Sequence, residues 1–192
     1  SDDFLKINSP EELTVVDPAC GSGHMLTYAF DLLYAIYEEE GYSPSDIPGL
    51  ILKHNLYGLE IDPRAASLAS FALMMKARAK QRTFLSPRKR VEPNIRVIRP
   101  FEFSQHEVNF LSAGWLDDSE ASSFWNVFKE AETLGSLIQP DASLIEQANL
   151  NIQLLNDDGD LLLDGTLNRA HDFLRQAELL SRKYAVVIAN PP

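Results

Sequence analysis

The run Val15-Val16-Asp17-Pro18-Ala19-Cys20-Gly21-Ser22-Gly23-His24 constrains this chain more than any other stretch. Two β-branched residues lead into an acid, a loop of small residues with two glycines follows, and an apolar-periodic segment begins at Met25. That order reads as strand, tight loop and helix, the opening unit of a nucleotide-binding α/β sheet. The unit recurs: Asn55-Leu56-Tyr57-Gly58-Leu59-Glu60-Ile61-Asp62-Pro63 is again a strand ending in acids, with a proline placed to open a helix. A third strand is expected over Asn94–Pro100, where apolar and polar residues alternate. A fourth, of buried type, is expected over Val186–Ile188, running directly into Asn190-Pro191-Pro192.

Strands separated by helices require right-handed crossovers and a mainly parallel sheet. The expected fold class is therefore α/β, a Rossmann-like doubly wound sheet. In such sheets ligands bind at the carboxyl ends of the strands. Asp17–Gly23, Glu60–Asp62, Pro100–Glu102 and Asn190–Pro192 all follow strands and are expected on that one edge. Helical spacing places a helix over Met25–Glu40 with a buried stripe of Met25, Tyr28, Ala29, Leu32, Leu33 and Ile36, and Gly41 as its stop. A short helix is expected over Ser45–His54. A longer one follows Pro63, with Leu68, Phe71, Ala72, Met75 and Ala79 inward and Met74 and Met75 as core filler. Residues 104–118 carry no clear period. Ser119–Gln139, Asp141–Asp157 and Asp160–Lys183 read as three helical stretches, broken at Pro140 and at Asp157-Asp158-Gly159.

Composition narrows the functional classes. The chain has 192 residues, enough for one domain with a proper core. Its net charge of −11 disfavours binding nucleic acid over a broad surface. Seven basic residues without an acid lie between Lys76 and Arg90; they read first as a solvated helix end and loop, and second as a local patch for DNA phosphates. A single cysteine, Cys20, excludes an intramolecular disulfide and fits a reducing compartment. No apolar run reaches the roughly 18 residues of a membrane span, and no targeting segment opens the chain, so a cytoplasmic protein without a membrane partner is expected. The four histidines are scattered and show no metal-ligand spacing.

The loops then select a ligand. A phosphate-binding P-loop needs lysine and Ser or Thr after its last glycine, whereas Gly23 is followed by His24 and Met25. The dinucleotide fingerprint needs a third glycine where Leu26 stands. Asp17 before the loop would repel phosphate and suits a cation or a set of amine and hydroxyl donors. S-adenosylmethionine has that profile: a sulfonium, an ammonium and a ribose diol, with no phosphate. Glu60 at the end of the second strand is placed to accept both ribose hydroxyls. Ile61 can pack on the adenine, and Asp62 is expected to cap the helix at Pro63. In Asn190-Pro191-Pro192, the Asn190 side-chain oxygen and the Pro191 carbonyl could accept both hydrogens of a conjugated amine, turning its lone pair toward a methyl donor. The prolines hold those acceptors in advance.

Asp17-Pro18-Ala19-Cys20-Gly21-Ser22-Gly23, Gly58-Leu59-Glu60-Ile61-Asp62-Pro63 and Asn190-Pro191-Pro192 together resemble the S-adenosylmethionine-dependent DNA methyltransferases of the adenine-N6 class. The long spacing before Asn190 is most similar to the large methylases of phage-defence systems (BREX or phage growth limitation type) and fused restriction–modification enzymes. The resemblance implies that residues 1–192 form a partial methyltransferase domain with a largely helical insertion at 104–183. It implies that Asp17, Ala19, Gly21 and Gly23 hold the methionine end of the cofactor, with Glu60 at the ribose and Ile61 on the adenine. Asn190 and Pro191 would receive the amine of an adenine flipped out of double-stranded DNA. Three positions depart from the family's pattern. The family usually has an aromatic after Asn-Pro-Pro, whereas the sequence here ends at Pro192; Arg99-Pro100-Phe101-Glu102 stands where an acid often follows the third strand, and Ala185 stands where an acid often precedes the fourth. The expectation is a fragment of a larger enzyme, inactive alone, working through its full-length form and defence-system subunits. The rival expectations are a protein glutamine or rRNA amine methyltransferase, and a non-catalytic assembly module of the same fold.

Overall fold

A computed structural model of the chain describes residues 6–88, 90–155 and 161–190, and in Leu161–Asp164 the backbone alone. It divides into two compact units, Ser1–Val97 with Lys183–Pro192, and Ile98–Arg182.

The first unit carries a four-stranded sheet in the order β3-β2-β1-β4. Its strands are β1 (Val15–Asp17), β2 (Leu56–Glu60), β3 (Asn94–Val97) and β4 (Val186–Val187), and every pairing is parallel. The register sets Val15 and Val16 opposite Leu56 and Tyr57 on one side and opposite Val186 and Val187 on the other. The expected parallel α/β sheet is present. β1 is buried at all three positions, as suits a strand covered on both faces. β3 ends at Val97, three residues short of the expected strand.

Helices α1 (His24–Glu39) and α3 (Pro63–Lys80) form the two crossovers, and α2 (Ile47–Leu50) continues into a π-helical turn, Ile51–Asn55. Asp62 caps α3 as expected, its carboxylate accepting from the Arg64 amide at 2.8 Å. The buried faces differ from expectation. α1 buries Leu26, Ala29, Phe30, Leu33, Tyr34 and Tyr37, while Met25, Tyr28 and Leu32 are exposed. The helix bears two overlapping apolar stripes, and the one rich in aromatic rings wins the interior. Tyr37 brings its hydroxyl to Asn55 Oδ1 at 2.8 Å, and the Asn55 amide donates to the carbonyls of Pro10 and Leu13. The phenol is thereby buried with its polar end satisfied.

α3 shows the same inversion. It buries Ala66, Ala69, Leu73 and Ala77, whereas Leu68, Phe71 and Met75 are 58%, 58% and 45% exposed. The reason is close approach at small residues. A Cβ placed on Gly23 would lie 2.9 Å from the Ala69 Cβ, so the start of α1 and the middle of α3 nearly touch through backbone and methyl groups. Met75 is accordingly not core filler. The expected burial of Val186–Ile188 is also corrected. β4 is paired to β1, yet Val186 and Val187 are 36% and 63% exposed. Helices α1 and α3 pack mainly over β1, β2 and β3, and β4 stands at the edge of the sheet.

The second unit is helical: α4 (Gln105–Ser112), α5 (Asp118–Trp125), α6 (Ala131–Leu134), α7 (Ala142–Leu154) and α8 (Leu161–Ser181). Ser104 and Glu107 form a capping box that starts α4 inside the stretch that showed no period. The expected Ser119–Gln139 helix is divided, with Gly135 at φ 52° closing α6. Phe103, Phe124, Trp125 and Phe128 surround Phe173 with ring centroids 5.0–5.9 Å away. Gln176 is bonded in both directions to the Arg99 backbone, accepting at 2.8 Å and donating at 3.0 Å, as a neighbouring strand would.

Candidate functional site

Parallel pairing aligns the carboxyl ends of β1 and β2. Asp17 closes β1 and Glu60 closes β2, so the two acids reach the same edge. The loop between them is set by four bonds. Asp17 Oδ1 accepts from the Ala19 amide at 3.1 Å, which turns the chain sharply out of the strand. The Cys20 amide donates to the Leu59 carbonyl at 2.9 Å, and the Gly23 amide donates to the Cys20 carbonyl at 2.8 Å. The Gly21 amide donates to Glu60 Oε2 at 2.7 Å. The glycine loop is thus tied along its length to the end of β2. Glu60 Oε1 also accepts from the Ile61 and Asp62 amides at 2.8 and 3.0 Å.

Both glycines take backbone conformations that other residues resist. Gly21 lies at φ 53° and Gly23 at φ 84°, where a Cβ crowds the following carbonyl. They differ in surroundings: Gly23 abuts Ala69, while a Cβ at Gly21 would meet nothing within 4 Å. Gly23 anchors the loop and Gly21 sits at its open side.

The electrostatics are those of an uncompensated acid pair. Asp17 is 2% exposed. Burial pushes its carboxyl above the ordinary carboxylate range, and the nearby Glu60 charge adds to the rise, against the Ala19 amide that lowers it. Among the described residues no Lys or Arg pairs with either acid. Burial first, then the charges of Asp17 and Glu60, push the Cys20 thiol up to about 12, so Cys20 is a packing residue against the sheet. Ile61 stands beside Glu60 with half of its surface exposed, an apolar face at the mouth of the site.

The Ile188 amide donates to the Val16 carbonyl at 2.9 Å, completing the pairing of Val16 with Val187. Asn190 follows two positions on, exposed, at the same edge as Asp17. Pro191 and Pro192 lie outside the described residues. The structure therefore brings Asp17, Ala19, Gly21, Gly23, Glu60 and Ile61 together around one loop, and Asn190 follows the neighbouring strand, three residues past the end of β4. Glu102, at the place of the missing third acid, belongs to the other unit and pairs with Lys129 at 2.7 Å. The bond from Gly21 to Glu60 has no signature in the sequence beyond a glycine loop and a strand-ending acid, 39 positions apart.

Two other features do not involve the acid pair. The basic run begins on α3, whose 18 residues carry it roughly 27 Å toward the opposite edge of the sheet. Lys76 pairs with Asp31, Arg90 pairs with Glu92, and Lys80 stacks 4.0 Å over the Tyr34 ring. Lys89 is outside the described residues. A cleft of about 560 Å³ opens between α1 and α3, lined by Ser22 of the glycine loop together with His24, Thr27, Leu68, Phe71 and Met75, and neither Asp17 nor Glu60 lines it.

A parallel sheet whose first two strands end in acids around a glycine loop, with a short parallel strand beside them, defines a class: the Rossmann-like methyltransferase domains. The chain belongs to the family of the MmeI DNA-methyltransferase domain, whose model matches residues 6–117. It is 36% identical over 209 aligned positions to the adenine-specific methyltransferase BrxX of Escherichia coli O9:H4 (strain HS), covering 95% of this chain and 17% of that protein. It is 34% identical over 189 positions to the adenine-specific methyltransferase PglX of Lacticaseibacillus casei (strain Zhang), covering 95% and 16%. The chain thus spans about a sixth of the length of these relatives. Among the described residues no helix is long and apolar enough to cross a membrane, and no group of three or more His, Cys, Asp or Glu side chains could hold a metal ion.

Proposed function

We propose that this chain is the cofactor-binding part of a DNA adenine-N6 methyltransferase acting in phage defence or restriction–modification, in the cytoplasm. The observation that carries the proposal is the uncompensated pair Asp17 and Glu60 beside a glycine loop, in a chain whose two relatives are named adenine-specific methyltransferases.

The residues fit S-adenosylmethionine. Two carboxylates without a basic partner suit a ligand bearing a sulfonium and an ammonium. Glu60 has one acceptor site left for a ribose hydroxyl beyond its three backbone bonds, and exposed Ile61 offers an apolar surface to adenine. When bound, the cofactor supplies an electrophilic methyl group. Asp17, fixed by the Ala19 amide, holds positive charge at the base of the loop. Backbone groups of Ala19, Gly21 and Gly23 line the methionine end. Asn190 and the Pro191 carbonyl accept the two amine hydrogens of an adenine flipped from duplex DNA. This would pyramidalise the nitrogen and turn its lone pair toward the methyl donor; direct transfer would leave S-adenosylhomocysteine, and the amine would release one proton to solvent.

The test uses the full-length protein. Genomic DNA from cells expressing it is expected to contain N6-methyladenine at one sequence motif, and Asn190→Ala is expected to abolish the mark, with cofactor affinity within about threefold of wild type. Unchanged adenine methylation in the variant would overturn the role of Asn190. A methyl mark on RNA or on protein glutamine, with DNA unmodified, would move the activity to those substrates.

A further inference from the structure

The Glu60 carboxylate is nearly full. A carboxylate offers about four lone-pair sites, two on each oxygen. Oε1 already accepts from Ile61 and Asp62, and Oε2 accepts from Gly21. One site is left, whereas a ribose diol brings two hydroxyl donors. Capturing both requires one backbone bond to open. The Ile61 and Asp62 bonds are local, made to the turn that Glu60 itself begins, and Asp62 is held in turn as the cap of α3. The Gly21 bond is the long-range one, and Gly21 stands on the open side of the loop with space around it, while Gly23 is wedged against Ala69.

We propose that Glu60 is a latch between the two cofactor loops, holding the Gly21 amide in the ligand-free protein and exchanging it for the ribose of the incoming cofactor. The exchange is balanced on both sides. Glu60 trades one donor for another, and the released Gly21 N–H turns to the carboxylate at the methionine end of the ligand. Glu60 acts on the loop as a positioning residue, and ribose binding at one end of the site prepares a donor for the other. The inference rests on the cofactor reading given above.

The experiment is hydrogen–deuterium exchange of the Gly21 amide in the full-length protein, read by mass spectrometry with residue-level fragmentation. Without ligand, Glu60→Gln puts an amide NH₂ where one of the accepting oxygens was. Exchange at Gly21 is expected to rise about tenfold or more, the worth of a hydrogen bond to a charged acceptor. In wild type, saturating adenosine, which carries the ribose and no carboxylate, is expected to accelerate Gly21 exchange. S-adenosylhomocysteine, which carries both, is expected to protect it again. Equal exchange at Gly21 in wild type and Glu60→Gln would overturn the latch. Protection of Gly21 by adenosine alone would show that the ribose does not displace it, and would overturn the exchange whether or not the variant folds. If neither ligand binds while Glu60→Gln still releases Gly21, the cofactor reading fails and the displacement falls with it.

Discussion

At the scale of single residues, the two loop glycines separate two costs that usually arrive together. Gly21→Ala meets only the left-handed backbone penalty, about 1–2 kcal/mol, because nothing lies within 4 Å of the new methyl. Gly23→Ala meets that penalty and a methyl 2.9 Å from Ala69, adding about 1–3 kcal/mol of overpacking. Chemical denaturation of the two variants is expected to rank them in that order, with the Gly23 variant losing about 1–3 kcal/mol more. Asp17 gives a pH signature. Its folded carboxyl binds a proton more tightly than in the unfolded chain. Ligand-free stability therefore falls as pH rises from the ordinary carboxylate range through the raised folded value, and levels above it. A cationic ligand favours the ionised form, so cofactor affinity weakens as pH falls through the same window. Melting temperature against pH, with and without S-adenosylmethionine, is expected to show opposite slopes there. Parallel slopes would remove Asp17 from contact with the ligand's charge.

At the scale of elements, α1 and α3 teach which apolar residues a helix buries. Both helices were legible from spacing, yet their inward faces were not. In α3 the large residues Leu68, Phe71 and Met75 make a convincing stripe, but the alanines and Leu73 face the interior. Bulky side chains there would hold α3 away from Gly23 and the glycine loop. The difference is measurable. Leu73→Ala removes a fully buried side chain and is expected to cost about 2–5 kcal/mol. Phe71→Ala, at a position 58% exposed, is expected to stay within about 0.5 kcal/mol of wild type. Thermal denaturation of the pair checks the assignment, and a larger loss for Phe71 would restore the stripe read from spacing. β4 makes the complementary point. Its Val-Val-Ile run reads as interior strand, but a strand is buried only when layers cover it, and here it stands at the edge.

At the scale of the molecule, charge and placement bear on how DNA is held. The chain carries a net charge of −11, and the basic run lies toward the sheet edge opposite Asp17, Glu60 and Asn190, with Lys76, Lys80 and Arg90 among its described residues engaged inside the first unit. Phosphate contacts at a flipped adenine would have to arise on the site's own edge. The 192-residue chain is therefore expected to show no retention of duplex DNA in a mobility-shift assay at about 0.15 M salt, where weak phosphate contacts are screened. Retention lost on neutralising Arg78, Arg82 and Arg88 would instead assign the basic run to DNA.

By itself the sequence determined the two strand–acid–loop–helix units, their order, and hence an edge that gathers Asp17, Glu60 and Asn190. These follow from short-range rules: β-branched runs extend, glycines and prolines turn, and parallel crossovers put every strand end of one sense on one side. Only the tertiary structure decided which stripe of α1 and α3 is interior, that β4 is exposed, and that Gly21 is bound to Glu60. Each of these depends on what is packed alongside: a methyl against a glycine, a strand left at the sheet edge, a carboxylate brought across 39 positions by strand pairing. Local pattern specifies what a segment can be. Its neighbours in space select the face it buries and the partner it binds.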